Sequence, residues 1–136
     1  MLEYKAKEIL FNGDYTCVSV KGNQVYTSNL KGIMPVIGKL KEDSSFFEGA
    51  DVADVVIGKA AAMLLIFGKA RSIYTDLISE HAIEVLNKYN ISYEFKKKVP
   101  YIMNRNKDGI CPMEHTVLNS EDPEQAFNLL IQKLSL

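Results

Sequence analysis

The sequence predicts a three-layer α/β/α sandwich built around a mixed sheet of about four strands. Three observations lead to this class: two short strands form a hairpin near the N-terminus, an apolar helix follows, and a strand–helix–strand unit comes after it. Residues 71–99 supply that unit, which requires parallel strands joined by a right-handed crossover. Alternation of strands and helices of this kind is typical of layered α/β domains.

Each element is predicted from periodicity and local stop signals. Asn12-Gly13 ends the first helix, Gly22 turns the hairpin, Ser79 caps one helix and Asp122 caps the last. The predicted elements are a helix at 2–11, strands at 15–20 and 24–28, a helical turn near 33–40, a helix at 51–67, a strand at 71–78, a helix at 80–89, a strand at 91–99 and a helix at 123–134.

Residues 51–67 are interpreted as a central helix because they are apolar almost throughout. Asp51 would be its N-cap, and Asp54 would lie in its first turn, near the positive end of the helix dipole. Lys59 is the only other charge before Lys69. A lysine in such surroundings either extends its amine to solvent or directs it into a pocket.

Composition bounds the classes of function. The 136 residues suffice for one domain, 1–136, and 47% of them are hydrophobic. A net charge of −1 argues against nucleic acid as a partner. The longest apolar run falls far short of the ~20 residues that span a bilayer, so no membrane segment is expected. Two cysteines and no apparent signal peptide favour a reduced, cytoplasmic protein.

Residues 104–115 hold the densest group of chemically active side chains, between a strand and the last helix. The candidate catalytic residues are Cys111 as nucleophile, Glu114 as acid or base, and Lys59 to orient an anionic group. The candidate ligand-binding residues are Asp51, Asn104 and Arg105, the last because a guanidinium holds a carboxylate or phosphate well.

Each of these residues also has a structural interpretation. Cys111 could be a buried thiol, Glu114 could form a bridge with Lys59 or Arg105, and Asn104 could tie its own loop. The order Cys-x-x-Glu-His at 111–115 lacks the spacing of known zinc sites. No Gly-rich phosphate loop is present. The sequence therefore predicts no metal and no cofactor.

The order of elements resembles that of the cytidine deaminase-like fold. Ile57-Gly58-Lys59 stands where those enzymes carry the H-x-E or C-x-E motif, and residues 74–82 stand where they enter P-C-x-x-C. Neither motif is present, and no cysteine occurs between positions 18 and 110. A zinc deaminase needs three nitrogen or sulfur ligands and a glutamate that shuttles protons, so the resemblance implies the scaffold without that reaction.

The whole chain also resembles a family of bacterial and archaeal proteins grouped as a domain of unknown function with a deaminase-like fold. The residues that carry this resemblance are Gly49-Ala50-Asp51, Ile57-Gly58-Lys59-Ala60-Ala61, Asn104-Arg105 and Cys111-Pro112-Met113-Glu114. It implies a fold and brings no assigned activity.

Two hypotheses of function follow, with a third that has less support. In the first, an anionic small molecule binds, with or without turnover, in a pocket around Lys59, Arg105, Cys111 and Glu114. In the second, the protein is a non-catalytic regulatory or structural protein, and the three charged residues of that set form an ion network. The third is an association with RNA, which the near-neutral charge opposes. Homodimerisation is compatible with this fold.

Overall fold

The computed structural model describes residues 2–136, with side chains from residue 5 onward, so the first residue of the predicted domain lies outside it. It is an α/β structure with one five-stranded mixed sheet. The elements are α1 (Leu2–Asn12), β1 (Cys17–Lys21), β2 (Gln24–Ser28), α2 (Met34–Glu42), β3 (Asp51–Ile57), α3 (Lys59–Phe67), β4 (Ser72–Ser79), α4 (Glu80–Lys88), β5 (Ser92–Val99), α5 (Pro112–Thr116) and α6 (Pro123–Lys133).

The strand order in the sheet is β2-β1-β3-β4-β5. The hairpin strands run antiparallel to each other, and β1 also runs antiparallel to β3. β3, β4 and β5 are mutually parallel, joined by α3 and α4 as the strand–helix–strand pattern requires. The predicted sheet of about four strands is therefore one strand short.

The missing strand lies within the predicted central helix. Residues 51–57 form a strand, and the helix begins only at Lys59, after Gly58 in an extended conformation. Asp51 is consequently not a helix N-cap. It is fully buried at the start of β3, where Arg71 and Ser72 donate hydrogen bonds to its carboxylate. Periodicity alone does not distinguish a buried strand from a buried helix in a short apolar run such as 51–57.

Helices cover both faces of the sheet. α1 packs on β1, β3 and β4, and its buried Ala6 and Leu10 form a small apolar cluster with those strands. On the other face α3 contacts α2, α4 and α6 within the larger core cluster. α3 is buried along nearly its whole length, which explains its uninterrupted apolar sequence. No helix among the described residues is long and apolar enough to cross a membrane.

Two of the predicted helix caps, Ser79 and Asp122, are confirmed. The Ser79 side chain accepts a hydrogen bond from the Ala82 backbone N–H at the start of α4. Asp122 accepts from the Glu124 N–H at the start of α6, with Pro123 at the first helical position.

Side chains along β3 do not alternate regularly between the two faces of the sheet, because the alternation is interrupted in the middle of the strand. Val52 and Ile57 both belong to the larger core cluster, although an odd separation normally places two residues on opposite faces. At the change, the backbone N–H of Val56 donates to the Asp54 carboxylate, 3.2 Å away. In the neighbouring strand β4, the Leu77 backbone N–H donates in the same way to the Thr75 hydroxyl. After the irregularity, Val56 is exposed near the C-terminal end of β3.

Candidate functional site

The Glu114 side chain lies where the C-terminal ends of β3 and β4 meet the N-terminal ends of α3 and α4. It is 1% exposed. One carboxylate oxygen, Oε2, accepts from the Lys59 backbone N–H at 2.6 Å and from the Ser79 hydroxyl at 2.5 Å. The other, Oε1, accepts from the Ile102 N–H at 2.7 Å. Lys59 is the first residue of α3, so the carboxylate lies at the positive end of that helix dipole.

The Ser79 hydroxyl couples the two helix ends. It donates to Glu114 and accepts from the Ala82 N–H at 3.1 Å, so one hydroxyl serves both α3 and α4. Glu114 thus holds two helices and the segment after β5 in one hydrogen-bonded group. Glu114 therefore links elements of the fold, but not through the predicted bridge with Lys59 or Arg105, because its partners are a hydroxyl and two backbone amides.

The Lys59 amine points away from Glu114. The residue is 5% exposed, and its Nζ donates to the Leu118 carbonyl oxygen at 2.6 Å. Among the described residues neither Lys59 nor Arg105 forms a salt bridge with Glu114. The ion network proposed for these residues is therefore not formed. Lys59 reaches Glu114 through its backbone amide, which no sequence pattern of charges could have predicted.

Residues 102–111 form a short hairpin-like loop beside this group. Met103 and Ile110 form an isolated antiparallel bridge, and the Cys111 N–H donates to the Ile102 carbonyl oxygen at 2.7 Å. The Asn104 side chain exchanges two hydrogen bonds with Asp108, one to its carboxylate and one from its backbone amide. Asn104 is therefore the loop tie that its structural interpretation predicted. The loop holds Cys111 against Ile102.

A groove of about 470 Å³ opens at the C-terminal end of β3. Its walls are the segment before α2, residues 54–56 of β3, and the loop at 102–105 with residues 111–113. A narrower recess of about 80 Å³ continues from it to Gly58 and Glu114. Groove volumes of a few hundred Å³ are usual for small-molecule sites, and ligands of open α/β sheets bind beyond the carboxyl ends of the strands.

Apolar side chains supply most of the groove surface. Cations stand at its rim: Lys31 and Arg105 are both exposed, and neither forms a salt bridge with any residue the structure describes. Cys111 is half-buried and lines both the groove and the recess. The apolar members of the wall are Ile33, Met34, Val55, Val56, Ile102, Met103, Pro112, Met113 and Leu134.

The structure brings together three of the six predicted site residues on the groove: Asn104, Arg105 and Cys111. Glu114 lies at the end of the recess. Lys59 directs its amine elsewhere, and Asp51 lies at the opposite end of β3, paired with Arg71 at 2.5 Å. No group of three or more His, Cys, Asp or Glu side chains capable of holding a metal ion occurs among the described residues.

Asp54 is a groove residue that the sequence analysis missed. It is 4% exposed, lines the groove, and lies opposite Cys17 in the pairing of β1 with β3. Burial raises the pKa of Asp54 to about 7, against smaller lowering effects from the Val56 amide and the Cys17 thiol. Burial, with the Asp54 charge, also raises the pKa of Cys17. Two aspartates in a run of valine and alanine were the available signal, once residues 51–57 are assigned to a strand.

Replacing Glu114 by glutamine should destabilise the fold by about 2–4 kcal/mol, because hydrogen bonds to a charged group contribute ~1.5–3 kcal/mol each. An amide has one acceptor oxygen and faces the remaining donors with its own N–H groups. Urea unfolding of Glu114→Gln and of the exposed control Glu84→Gln measures the difference. Equal stability of the two variants would show that the Glu114 charge does not hold the helix ends.

Gly58→Ala should destabilise the protein by about 1–3 kcal/mol, as overpacking does. A Cβ on Gly58 would lie 2.8 Å from Ile102 Cγ1 and 3.0 Å from Glu114 Oε2. Gly38, inside α2, has open space around an added Cβ. Gly38→Ala should therefore be neutral or stabilising by about 0.5–1 kcal/mol. Thermal unfolding of both variants checks the contrast, and a loss of stability in Gly38→Ala alone would contradict it.

Stability should fall between about pH 4 and pH 7 through Asp54, by up to ~1.4 kcal/mol per pH unit. The folded pKa of about 7 exceeds the ordinary value of 3.8, so the folded state retains a proton that the unfolded state has lost. The stabilisation is complete below about pH 4 and lost above about pH 7. Urea unfolding at several pH values should show this component in the wild type and its absence in Asp54→Asn. Parallel curves for the two proteins would contradict it.

Comparison with known proteins agrees with the sequence resemblance at the level of the family. The family model described as "Domain of unknown function (DUF1893)" matches residues 5–134. The crystal structure of the DUF1893 family protein TM1506 from Thermotoga maritima superposes with a TM-score of 0.89 at 30% sequence identity, over 97% of this chain and 89% of that one. None of the curated proteins compared with the chain matches it. The chain therefore belongs to the DUF1893 family, a family of unknown function.

Proposed function

We propose that this protein binds a small amphipathic organic anion in the groove at the C-terminal end of β3. The observation that carries the proposal is the combination of apolar walls with two rim cations, Lys31 and Arg105, that lack salt-bridge partners among the described residues. A guanidinium presents a planar fork of donors that suits a carboxylate or phosphate. The apolar part of such a ligand would lie against the walls.

Binding is favoured over catalysis by the state of the predicted catalytic groups. Glu114 already accepts three hydrogen bonds, and the Lys59 amine is held by the Leu118 carbonyl oxygen. A general acid or base must reach the proton that it transfers, and these contacts hold both groups in other interactions. Cys111 is the remaining candidate, and it lies on the groove wall as a thiol that a bound ligand would cover.

The deaminase-like scaffold forms part of the same proposal. Zinc deaminases carry their two zinc-binding motifs at the N-terminal ends of two helices. Each of these helices follows one of the first two parallel strands. In this chain those helix ends are the beginnings of α3 and α4, and a carboxylate links them. We infer that Glu114 takes the structural place of the metal, and that the site for ligands lies beside it in the groove.

The test is calorimetric titration with hexanoate, octanoate and decanoate, which combine a carboxylate with an apolar chain. Saturable binding is expected for at least one of them. Arg105→Gln and Lys31→Gln should each weaken it by up to about fivefold, since an exposed ion pair contributes up to ~1 kcal/mol. Lys97→Gln on β5 is the control, because Lys97 is exposed, carries the same charge and lies outside the groove.

Alkylation of the two cysteines supplies an independent readout of occupancy. Cys17 is fully buried and Cys111 is half-buried on the groove wall, so iodoacetamide should modify Cys111 alone in the folded protein. The acid that binds should slow this reaction, as followed by intact-protein mass. Absence of saturable binding by all three acids, or binding unaffected by both rim substitutions, would overturn the proposal.

A further inference from the structure

Asp54 is the one acidic side chain among the described residues that line the groove. It is nine-tenths buried, yet part of it faces the cavity. A second anionic group on the ligand would be repelled by this carboxylate once it is ionised. The Asp54 carboxylate therefore disfavours amphipathic anions that carry a second negative charge near it.

We infer that the ligand carries a hydrogen-bond donor, a hydroxyl or an ammonium, at a point away from its anionic group, and that Asp54 accepts this donor. The inference rests on the proposed function, because it describes the second polar contact of the same ligand. Lys31 and Arg105 would hold the anionic group, and Asp54 would hold the donor.

The hydrogen bonds of Asp54 leave room for such a contact. A carboxylate offers about four acceptor positions. The donors to Asp54 within the protein are the Val56 backbone N–H, the Cys17 thiol and a weaker contribution from the Val55 N–H. A thiol is a weak donor, and no described cation lies within salt-bridge distance of this carboxylate. A strong donor from a ligand would therefore add to the existing contacts.

The burial of Asp54 should also strengthen the contribution of that hydrogen bond to ligand binding. Burial alone disfavours the ionised carboxylate, which is why the Asp54 pKa is raised. A hydrogen bond from a ligand would compensate part of this desolvation, whereas a ligand without a donor would cover the carboxylate and leave it uncompensated. A site built to hydrogen-bond a substrate group discriminates strongly against analogues that lack the group.

A purely structural role is the alternative. Asp54 accepts the Val56 N–H at the irregularity of β3, and that contact would stabilise the strand whether or not a ligand binds. The structural role predicts no discrimination between ligands that differ only at the end remote from the carboxylate. Binding selectivity, and not stability, therefore separates the two interpretations.

The experiment compares three ligands of the same length: octanoate, 7-hydroxyheptanoate and 7-aminoheptanoate, in which a hydroxyl or an ammonium replaces the terminal methyl. Calorimetry at about pH 8 measures them where Asp54 is largely ionised. The wild type should bind at least one donor-bearing acid about tenfold more tightly than octanoate, the scale expected of a hydrogen bond to a charged group. Asp54→Asn should remove the preference for the ammonium, and the exposed control Asp14→Asn should keep it.

Each outcome is decisive. If octanoate binds and neither donor-bearing acid binds more tightly, the inference is wrong while the proposed groove site stands. If a preference for the ammonium persists unchanged in Asp54→Asn, or a preference for the hydroxyl persists unchanged in a folded Asp54→Val variant that has no side-chain acceptor, another group accepts the donor and the inference is equally wrong. If none of the three acids, nor hexanoate or decanoate, binds saturably, the proposed function fails and the inference fails with it. Unfolding curves for Asp54→Asn establish that a loss of preference is not a loss of fold.

Discussion

The hydrogen-bonded group around Glu114 is the constraint on which the rest of this structure depends. The carboxylate joins the first amide of α3, the capping hydroxyl of α4 and the amide of Ile102. Since Ile102 lines the groove and pairs with Cys111, the same group positions a wall of the candidate site. A buried carboxylate is costly unless it is fully hydrogen-bonded, and here every contact also organises an element of the fold.

Glu114 and Asp54 show how surroundings divide the roles of two buried carboxylates. Glu114 accepts hydrogen bonds on both carboxylate oxygens and lies at a helix N-terminus, so its hydrogen-bond partners all come from within the fold. Asp54 lies in the middle of a strand, where its donors are the Val56 N–H, the Cys17 thiol and, more weakly, the Val55 N–H, and it lines a cavity. The first serves the fold, and the second is the residue for which we propose a role in recognition.

Local signals predicted much of the architecture, because they act over a few residues. Ser79 and Asp122 cap the helices that follow them, and the strand–helix–strand unit is parallel. The failure at residues 51–67 has an equally local cause. A fully buried strand and a fully buried helix are both apolar throughout, so periodicity does not separate them. Gly58, which the sequence analysis placed inside one continuous helix at 51–67, is the break between the two elements.

By itself the sequence determined the class of fold, the order of most elements and the concentration of polar groups at residues 104–115. Only the tertiary structure decided which of those groups meet. It turned the Lys59 amine to Leu118, placed Asp51 at the far end of β3, and set Asp54 in the groove beside Arg105 and Cys111. The physical reason is that these positions depend on strand pairing and helix packing between distant segments, and a one-residue change of phase in a strand reverses the face that a side chain occupies.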